Sequence, residues 1–171
     1  PKGIGALFIK KGFTVAANIV GGGQENGIRS GTENVASIVG FGKACEIAKD
    51  KLSDNISHFQ TLHSSMLSRI VKEIPHVKLN GHPQNRIFNN IHLTFLGING
   101  EDLIIKLDEH GIAASTGSAC SVHTQKASHV LKAMGFNHEQ IAGSLRISFG
   151  YTNTLDEVEQ TVEVLKKVVS E

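Results

Sequence analysis

The stretch Ile74–Gly97, IPHVKLNGHPQNRIFNNIHLTFLG, marks the point where the spacing of apolar residues changes. Between Asp54 and Ile74 they recur at helical spacing, which predicts a helix that Pro75 ends. Val77–Leu79 is then predicted to be a short strand, and the alternation within Ile87–Phe95 predicts a half-buried one. A long helix followed by short strands predicts an α+β fold, with a small antiparallel sheet covered by helices.

The C-terminal part continues with short helices and strands. Gly111 follows a predicted helix and is expected to end it. Thr154 and Glu157 have the spacing of a capping box, which predicts the start of a last helix. The other predicted elements are helices at Asp102–Glu109, Ser128–Met134 and Glu139–Ala142, and strands at Ile112–Ala114 and Leu145–Phe149.

The N-terminal part is predicted to open on a strand, Ile4–Ile9, followed by a shorter apolar piece, Val15–Val20. A glycine-rich loop comes next, and Thr32 is placed to cap the helix after it. A chain that starts on a buried-type strand is expected to be the later portion of a larger fold. The length of 171 residues fits one domain, or a domain with an appended element.

Composition limits the classes of function. Lys and Arg number 17 against 16 Asp and Glu, with no basic block, so neither nucleic acid nor an anionic membrane is an expected partner. Cys45 and Cys120 are the only cysteines, and Cys45 falls in a helical pattern, so we expect a reducing compartment rather than a disulfide framework. The histidines lack metal-ligand spacing, and no metal site is predicted. No signal-peptide pattern or membrane-spanning run is seen, so we expect a cytoplasmic protein.

Cys120 lies in a run of small residues, Ser115–Ser121. Such neighbours provide flexibility, backbone donors and solvent access, and they indicate a working thiol rather than a core cysteine. An exposed linker that happens to contain a cysteine is the alternative. His123 follows in the same loop, where it could donate a proton or lower the pKa of the thiol, unless it is only a solvated loop residue.

Arg146 lies in the middle of a predicted apolar strand, between Leu145 and Ile147. A guanidinium is costly to bury there unless it meets an anion. Its planar fork of donors matches a carboxylate, so the carboxylate of a ligand is one candidate partner. An internal Asp or Glu in a structural ion pair is the other.

The segment Gly21–Thr32 contains glycines, Arg29 and the Thr32 hydroxyl just before a helix N-terminus. Such a segment can hold a phosphate through backbone N–H groups and the helix dipole. It matches neither the Walker nor the dinucleotide pattern. Taken alone, it is better explained as an ordinary glycine-rich turn.

Five motifs occur in a fixed order along the chain. They are PKGIGAL (1–7), GGGQE with RSGTEN (21–34), GSAC (117–120), SHVL with MG (128–135) and SLRIS (144–148). Together they resemble the C-terminal half of a cysteine desulfurase of the NifS/IscS type, a class-V aminotransferase of fold type I. The resemblance spans nearly the whole chain.

This resemblance implies a pyridoxal-phosphate enzyme that removes sulfur from L-cysteine. L-Alanine is released, and a persulfide remains for iron–sulfur cluster assembly or another sulfur acceptor. By position, Cys120 resembles the nucleophile that carries the persulfide, and Arg146 resembles the residue that binds the substrate carboxylate. Thr32 resembles the threonine that reaches the cofactor phosphate of the neighbouring subunit, which implies a homodimer. Residues 1–50 would then end the large cofactor-binding domain, and residues 51–171 would form a small C-terminal α+β domain that carries the cysteine loop.

The segment between Cys120 and Ser128 resembles that of the group with an extended, mobile cysteine loop. That group usually delivers sulfur to iron–sulfur scaffold proteins. Residues 122–127 are more polar than expected there, and Ala127 stands where proline is common. The resemblance therefore implies a long loop but leaves the acceptor protein open.

The family's lysine that forms a Schiff base with the cofactor lies upstream of the segment matching Pro1, and Lys2 does not take its place. The chain alone is therefore expected to be inactive and to need an N-terminal half that carries this lysine. Three alternatives remain open from the sequence. They are a cofactor-free persulfide carrier that uses Cys120, a scaffold-binding or dimerisation module, and a related lyase acting on selenocysteine.

Overall fold

The computed structural model describes residues 1–116 and 128–171, which form two compact units, Pro1–Leu52 and Ser53–Glu171. Within these residues, no helix is long and apolar enough to cross a membrane. The helices are α1 (Val35–Asp50), α2 (Leu52–Glu73), α3 (Gly100–Asp108), α4 (His129–Ala133), α5 (His138–Ala142) and α6 (Leu155–Ser170), with a 3₁₀ turn at Glu25–Gly27. The strands are β1 (Val77–Leu79), β2 (Asn90–Phe95) and β3 (Ser144–Ser148).

The second unit is built on a three-stranded antiparallel sheet in the order β1-β2-β3. Ile91, Leu93 and Phe95 of the central strand are at most 1% exposed, as their alternation predicts. They pack in one core with apolar side chains of α2, α3, β3 and α6. The predicted α+β fold with a small antiparallel sheet and covering helices is confirmed.

The last helix begins with the predicted capping box. The Thr154 N–H donates to Glu157 Oε2 at 2.9 Å, and the Glu157 N–H donates to Thr154 Oγ1 at 3.3 Å. These two bonds satisfy backbone donors that the first turn of a helix leaves free. The sequence signal and the observed start of α6 therefore agree.

The predicted strand at Ile112–Ala114 is wrong. The Ile112 N–H donates to the carbonyl of Leu107 at 3.0 Å, so this group closes the turn that follows α3 and cannot join a ladder. Only Ser115 reaches the sheet, through an isolated antiparallel bridge to Arg146.

The first unit lacks the strand that the sequence predicts at Ile4–Ile9. Leu7 is 73% exposed and Phe8 is 89% exposed. A strand exists only where a second backbone segment bonds to it, and none of the described residues pairs with this stretch. The apolar composition favours a strand, but composition does not identify a pairing partner.

The predicted cap of the first long helix is also wrong. Helix α1 begins at Val35, so the N-cap position falls on Asn34, not on Thr32. Asn34 Oδ1 accepts a hydrogen bond from the Ser37 N–H at 3.3 Å. Asn is as good a capping residue as Thr, and the register of the helix decides which one is used.

Candidate active site around Arg146

Arg146 lies at the centre of β3, directly opposite His92 of β2. Residues that face each other in an antiparallel pair project from the same side of the sheet. Both side chains are half-buried. The sheet therefore presents a guanidinium and an imidazole side by side.

No carboxylate of the described residues forms an ion pair with Arg146. Its guanidinium also makes no hydrogen bond to any residue in the described ranges. The internal Asp or Glu that the sequence left open as a partner is therefore not found there. A half-buried guanidinium with no partner in residues 1–116 and 128–171 can offer its fork of donors to an external anion.

A second cation, Arg86, lies near the same face. Its Nη1 donates to the Asn80 carbonyl at 3.3 Å and its Nη2 to the Asn90 carbonyl at 3.4 Å. Its Nε is buried without a partner among the residues described, and burial lowers the pKa of the guanidinium. The local charge is therefore positive.

The pKa of His92 is lowered in this environment. Burial first, and then the charges of Arg146 and Arg86, lower its pKa to about 4. The imidazole is consequently neutral at physiological pH. The Asn80 side-chain nitrogen lies 2.8 Å from His92 Nδ1 and donates to it.

Asn80 is itself fixed in a buried polar network. Its side-chain nitrogen also donates to Thr94 Oγ1 at 2.9 Å, and Thr94 Oγ1 lies 3.1 Å from the Gln140 carbonyl. Asn80 is 3% exposed and Thr94 is fully buried. The network joins Asn80, directly after β1, to β2 and α5, and Thr94 lies on the same side of the sheet as His92 and Arg146.

Cys120 and His123 lie outside the described residues. Ser115, five positions before the cysteine, is described, and it bonds to Arg146 in both directions. The Arg146 N–H donates to the Ser115 carbonyl at 2.6 Å, and the Ser115 N–H donates to the Arg146 carbonyl at 3.1 Å. Ser115, the first residue of the run of small residues that includes the cysteine, is therefore held against the backbone of the arginine that was predicted to bind substrate.

Thr32 belongs to the first unit, in the loop between the 3₁₀ turn and α1. Ser30 anchors this loop, because its Oγ accepts from the Gly23 N–H at 3.3 Å and its N–H donates to the Ile19 carbonyl at 3.0 Å. Gly31 has a backbone φ of +121, which residues with a side chain rarely adopt. A Cβ at this position would also lie 2.9 Å from Arg29 Nη1. The loop thus depends on a glycine immediately before Thr32.

The donors in this loop suit a phosphate group. Thr32 and Arg29 are exposed, and the Thr32 hydroxyl makes no hydrogen bond to any residue that the structure describes. Within the described part of the chain, the guanidinium of Arg29 bonds only to the neighbouring Ser30 carbonyl, at 3.2 Å. A hydroxyl and a guanidinium that face outwards are chemically fitted to hold a phosphate presented by another surface.

A profile described as Aminotransferase class-V matches residues 1–161. The chain belongs to this family. A cysteine desulfurase IscS 1 of Archaeoglobus fulgidus is 44% identical over 99% of the chain, and a cysteine desulfurase IscS of Clostridium botulinum is 44% identical over all of it. The chain spans 44% of the length of each of these curated relatives.

Solved structures of family members share the architecture. A NifS-like protein of Rickettsia africae has a TM-score of 0.81 and 32% identity, and it covers 93% of this chain and 41% of its own. A second NifS-like protein has a TM-score of 0.83 and 33% identity, over 95% of this chain and 41% of its own. The relation to NifS/IscS cysteine desulfurases that the motifs indicate is confirmed.

Sequence reasoning missed His92, Asn80 and Arg86. A polar residue between Ile91 and Leu93 indicates only that His92 lies on the less buried face of its strand. Its position opposite Arg146 depends on the register of two strands that are distant in the chain. No local pattern in either strand encodes that register.

Proposed function

We propose that the chain is part of a pyridoxal-phosphate-dependent cysteine desulfurase. Its substrate is L-cysteine, and its products are L-alanine and a persulfide on Cys120. The sulfur then passes to iron–sulfur cluster assembly or to another acceptor. The names of the curated relatives support this reaction, and the five motifs include the cysteine and the arginine that it requires.

The observation that carries the proposal is Arg146, whose guanidinium has no partner among the described residues and whose backbone bonds to Ser115, five positions before Cys120. A substrate anchor must be rigid, and Arg146 lies in a hydrogen-bonded strand. The thiol that accepts the sulfur must also be able to reach the substrate bound at that anchor. Five residues span at most about 18 Å, so the covalent chain keeps the Cys120 backbone within that distance of Ser115.

Thr32 is proposed to hold the cofactor phosphate of the neighbouring subunit in a homodimer. When bound, pyridoxal phosphate supplies an electron sink for cleavage of the carbon–sulfur bond. The outward-facing hydroxyl of Thr32 supports this role. The exposed apolar side chains of the same unit, among them Phe8 and Val20 at 89% and 81%, support packing against another protein surface.

The 171 residues alone are proposed to be inactive. In the resembling enzymes the cofactor-binding lysine precedes the position that matches Pro1, so the chain needs the part of the enzyme that carries it. The loop after Cys120 is proposed to present the persulfide to an iron–sulfur scaffold or a similar acceptor. Its polar composition leaves the choice of acceptor to experiment.

The test is alanine release from L-cysteine with added pyridoxal phosphate and a thiol reductant. The chain is assayed alone and together with the lysine-bearing half, with Cys120→Ala as the inactive variant and Cys45→Ala as its matched control. We expect turnover only with both halves, its loss in Cys120→Ala and its retention in Cys45→Ala. Turnover by the chain alone would contradict the proposed division of roles, and full activity of Cys120→Ala would contradict the function.

Loading of the chain from an inorganic persulfide donor, without cofactor or lysine-bearing half, would instead favour the cofactor-free carrier. A comparison of L-cysteine with L-selenocysteine under the same conditions separates the desulfurase from the related selenium lyase.

A further inference from the structure

His92 has no assigned role, although it lies directly opposite Arg146. The two side chains project from the same side of the sheet. They are also close enough for the arginine charge to affect the titration of the imidazole. Any anion that Arg146 binds therefore lies in the neighbourhood of His92.

Asn80 fixes which ring nitrogen of His92 carries the proton. The Asn80 amide group donates to Nδ1 at 2.8 Å, so in the neutral ring the proton resides on Nε2. Asn80 is held in turn by Thr94 Oγ1 and by its own N–H, which donates to the His92 carbonyl at 2.8 Å. Among the described residues, nothing accepts a hydrogen bond from His92 Nε2.

Burial first, and then the charges around His92, keep this donor neutral. Arg146 faces it from β3 and Arg86 from the loop that precedes β2, and both lower its pKa, as burial does. Its other polar contact, Asn80, is uncharged. A neutral N–H beside a guanidinium adds a donor without adding repulsion between two cations.

We infer that His92 is a second binding residue for the substrate carboxylate, with its Nε2–H donating to one oxygen while Arg146 binds the same group through its guanidinium. This inference rests on the proposed function. Asn80 is then a positioning residue, because it acts on the carboxylate only through the His92 ring. The alternative role for His92 is purely structural, as a polar link from β2 to Asn80.

Two variants of the holoenzyme separate these roles. His92→Leu removes the donor, whereas His92→Gln places an amide N–H near the position of Nε2. Loss of a hydrogen bond to a charged group should raise the KM for L-cysteine about tenfold or more in His92→Leu, with kcat within about twofold of wild type. His92→Gln should restore KM to within about threefold of wild type.

Cysteamine, which lacks the carboxylate, serves as the probe for that contact. Its inhibition constant should be unchanged by His92→Leu, because the variant removes a group that touches only the carboxylate. A structural role predicts the opposite pattern, in which His92→Leu and His92→Gln are equally impaired and cysteamine binding weakens along with cysteine binding. That pattern would overturn the inference.

Arg146→Gln distinguishes failure of the inference from failure of the proposed function. If Arg146→Gln raises KM and His92→Leu leaves it unchanged, the inference is wrong and the proposed function stands. If Arg146→Gln leaves the KM for L-cysteine unchanged, or the wild-type holoenzyme releases no alanine, both are wrong. The expected result is a raised KM in Arg146→Gln and His92→Leu, with rescue by His92→Gln.

Discussion

Gly143 lies where α5 ends and β3 begins, two residues before the buried Leu145. Its substitution tests how closely the backbone around β3, the strand that carries Arg146, is packed. A Cβ at this position would lie 2.2 Å from the Phe95 carbonyl oxygen and 2.9 Å from that of Ile98. Ordinary contact begins near 3.4 Å, so the backbone must move by about 1 Å. The φ of Gly143 is −84, which any residue adopts, and the clash is therefore the whole effect.

The expected cost of Gly143→Ala follows from these contacts. Overpacking of a rigid backbone contact costs about 1–3 kcal/mol. The same movement weakens the 2.9 Å hydrogen bond from the Phe95 N–H to the Gly143 carbonyl, which contributes about 1 kcal/mol. We expect the free energy of unfolding to fall by about 2–4 kcal/mol, a large share of the stability of an ordinary domain.

Urea unfolding followed by far-ultraviolet circular dichroism measures this loss. The midpoint should fall while the slope with denaturant stays constant. Gly150→Ala is the matched control, because the nearest atom to its added Cβ is 3.7 Å away and its φ is not in the left-handed region. Equal midpoints for the two variants would refute the argument from packing.

Three further predictions concern buried and charged groups of the second unit. Thr94→Val should lower the free energy of unfolding by about 1–3 kcal/mol, because it leaves buried polar groups without a partner, while Thr61→Val, at an exposed hydroxyl, should change it little. The pKa of His92 falls from 6.5 to about 4 on folding, so the unfolded chain binds more protons between these values. Stability should fall as the pH falls from 6.5 to 4, by at most about 3 kcal/mol from this residue, and His92→Gln should reduce that slope. The pKa of Glu73 is lowered from 4.5 to about 2, first by a hydrogen bond from Arg69. The stability that the ionised Glu73 contributes should therefore be lost as the pH falls from 4.5 to 2, and Glu73→Gln should lack this pH-dependent part. Urea midpoints measured across this pH range test both predictions. If His92→Gln leaves the pH dependence of stability unchanged, the role of His92 is contradicted, and the same holds for Glu73→Gln and Glu73.

Local signals in the sequence were sufficient for most elements of the second unit. The alternation through Ile91, Leu93 and Phe95 predicts β2 because one face of that strand is buried. The Thr154 and Glu157 pair predicts the start of α6 because both partners of the capping box lie within one turn. Such features depend on residues that are neighbours in the chain.

Features that depend on distant residues were not predictable. Ile4–Ile9 has the composition of a strand, but pairing requires a second segment that composition does not identify. The sequence indicates that Arg146 needs an anionic partner. The three-dimensional structure was needed to show that no Asp or Glu of the described residues pairs with it, and that His92 lies opposite it. The polar network likewise joins Asn80, directly after β1, to residues of β2 and α5 that are distant in the chain.

The location of the transferred sulfur tests the central claim most directly. The holoenzyme is incubated with L-cysteine without reductant, and an alkylating reagent then traps thiols and persulfides. After digestion, mass spectrometry gives the mass of each cysteine-containing peptide. Cys45, an exposed free thiol on α1, is the internal control. We predict one additional sulfur atom on the Cys120 peptide, none on the Cys45 peptide, and loss of the added sulfur in Arg146→Gln at limiting substrate. Sulfur on Cys45 instead, or none on either peptide while alanine is released, would contradict the account.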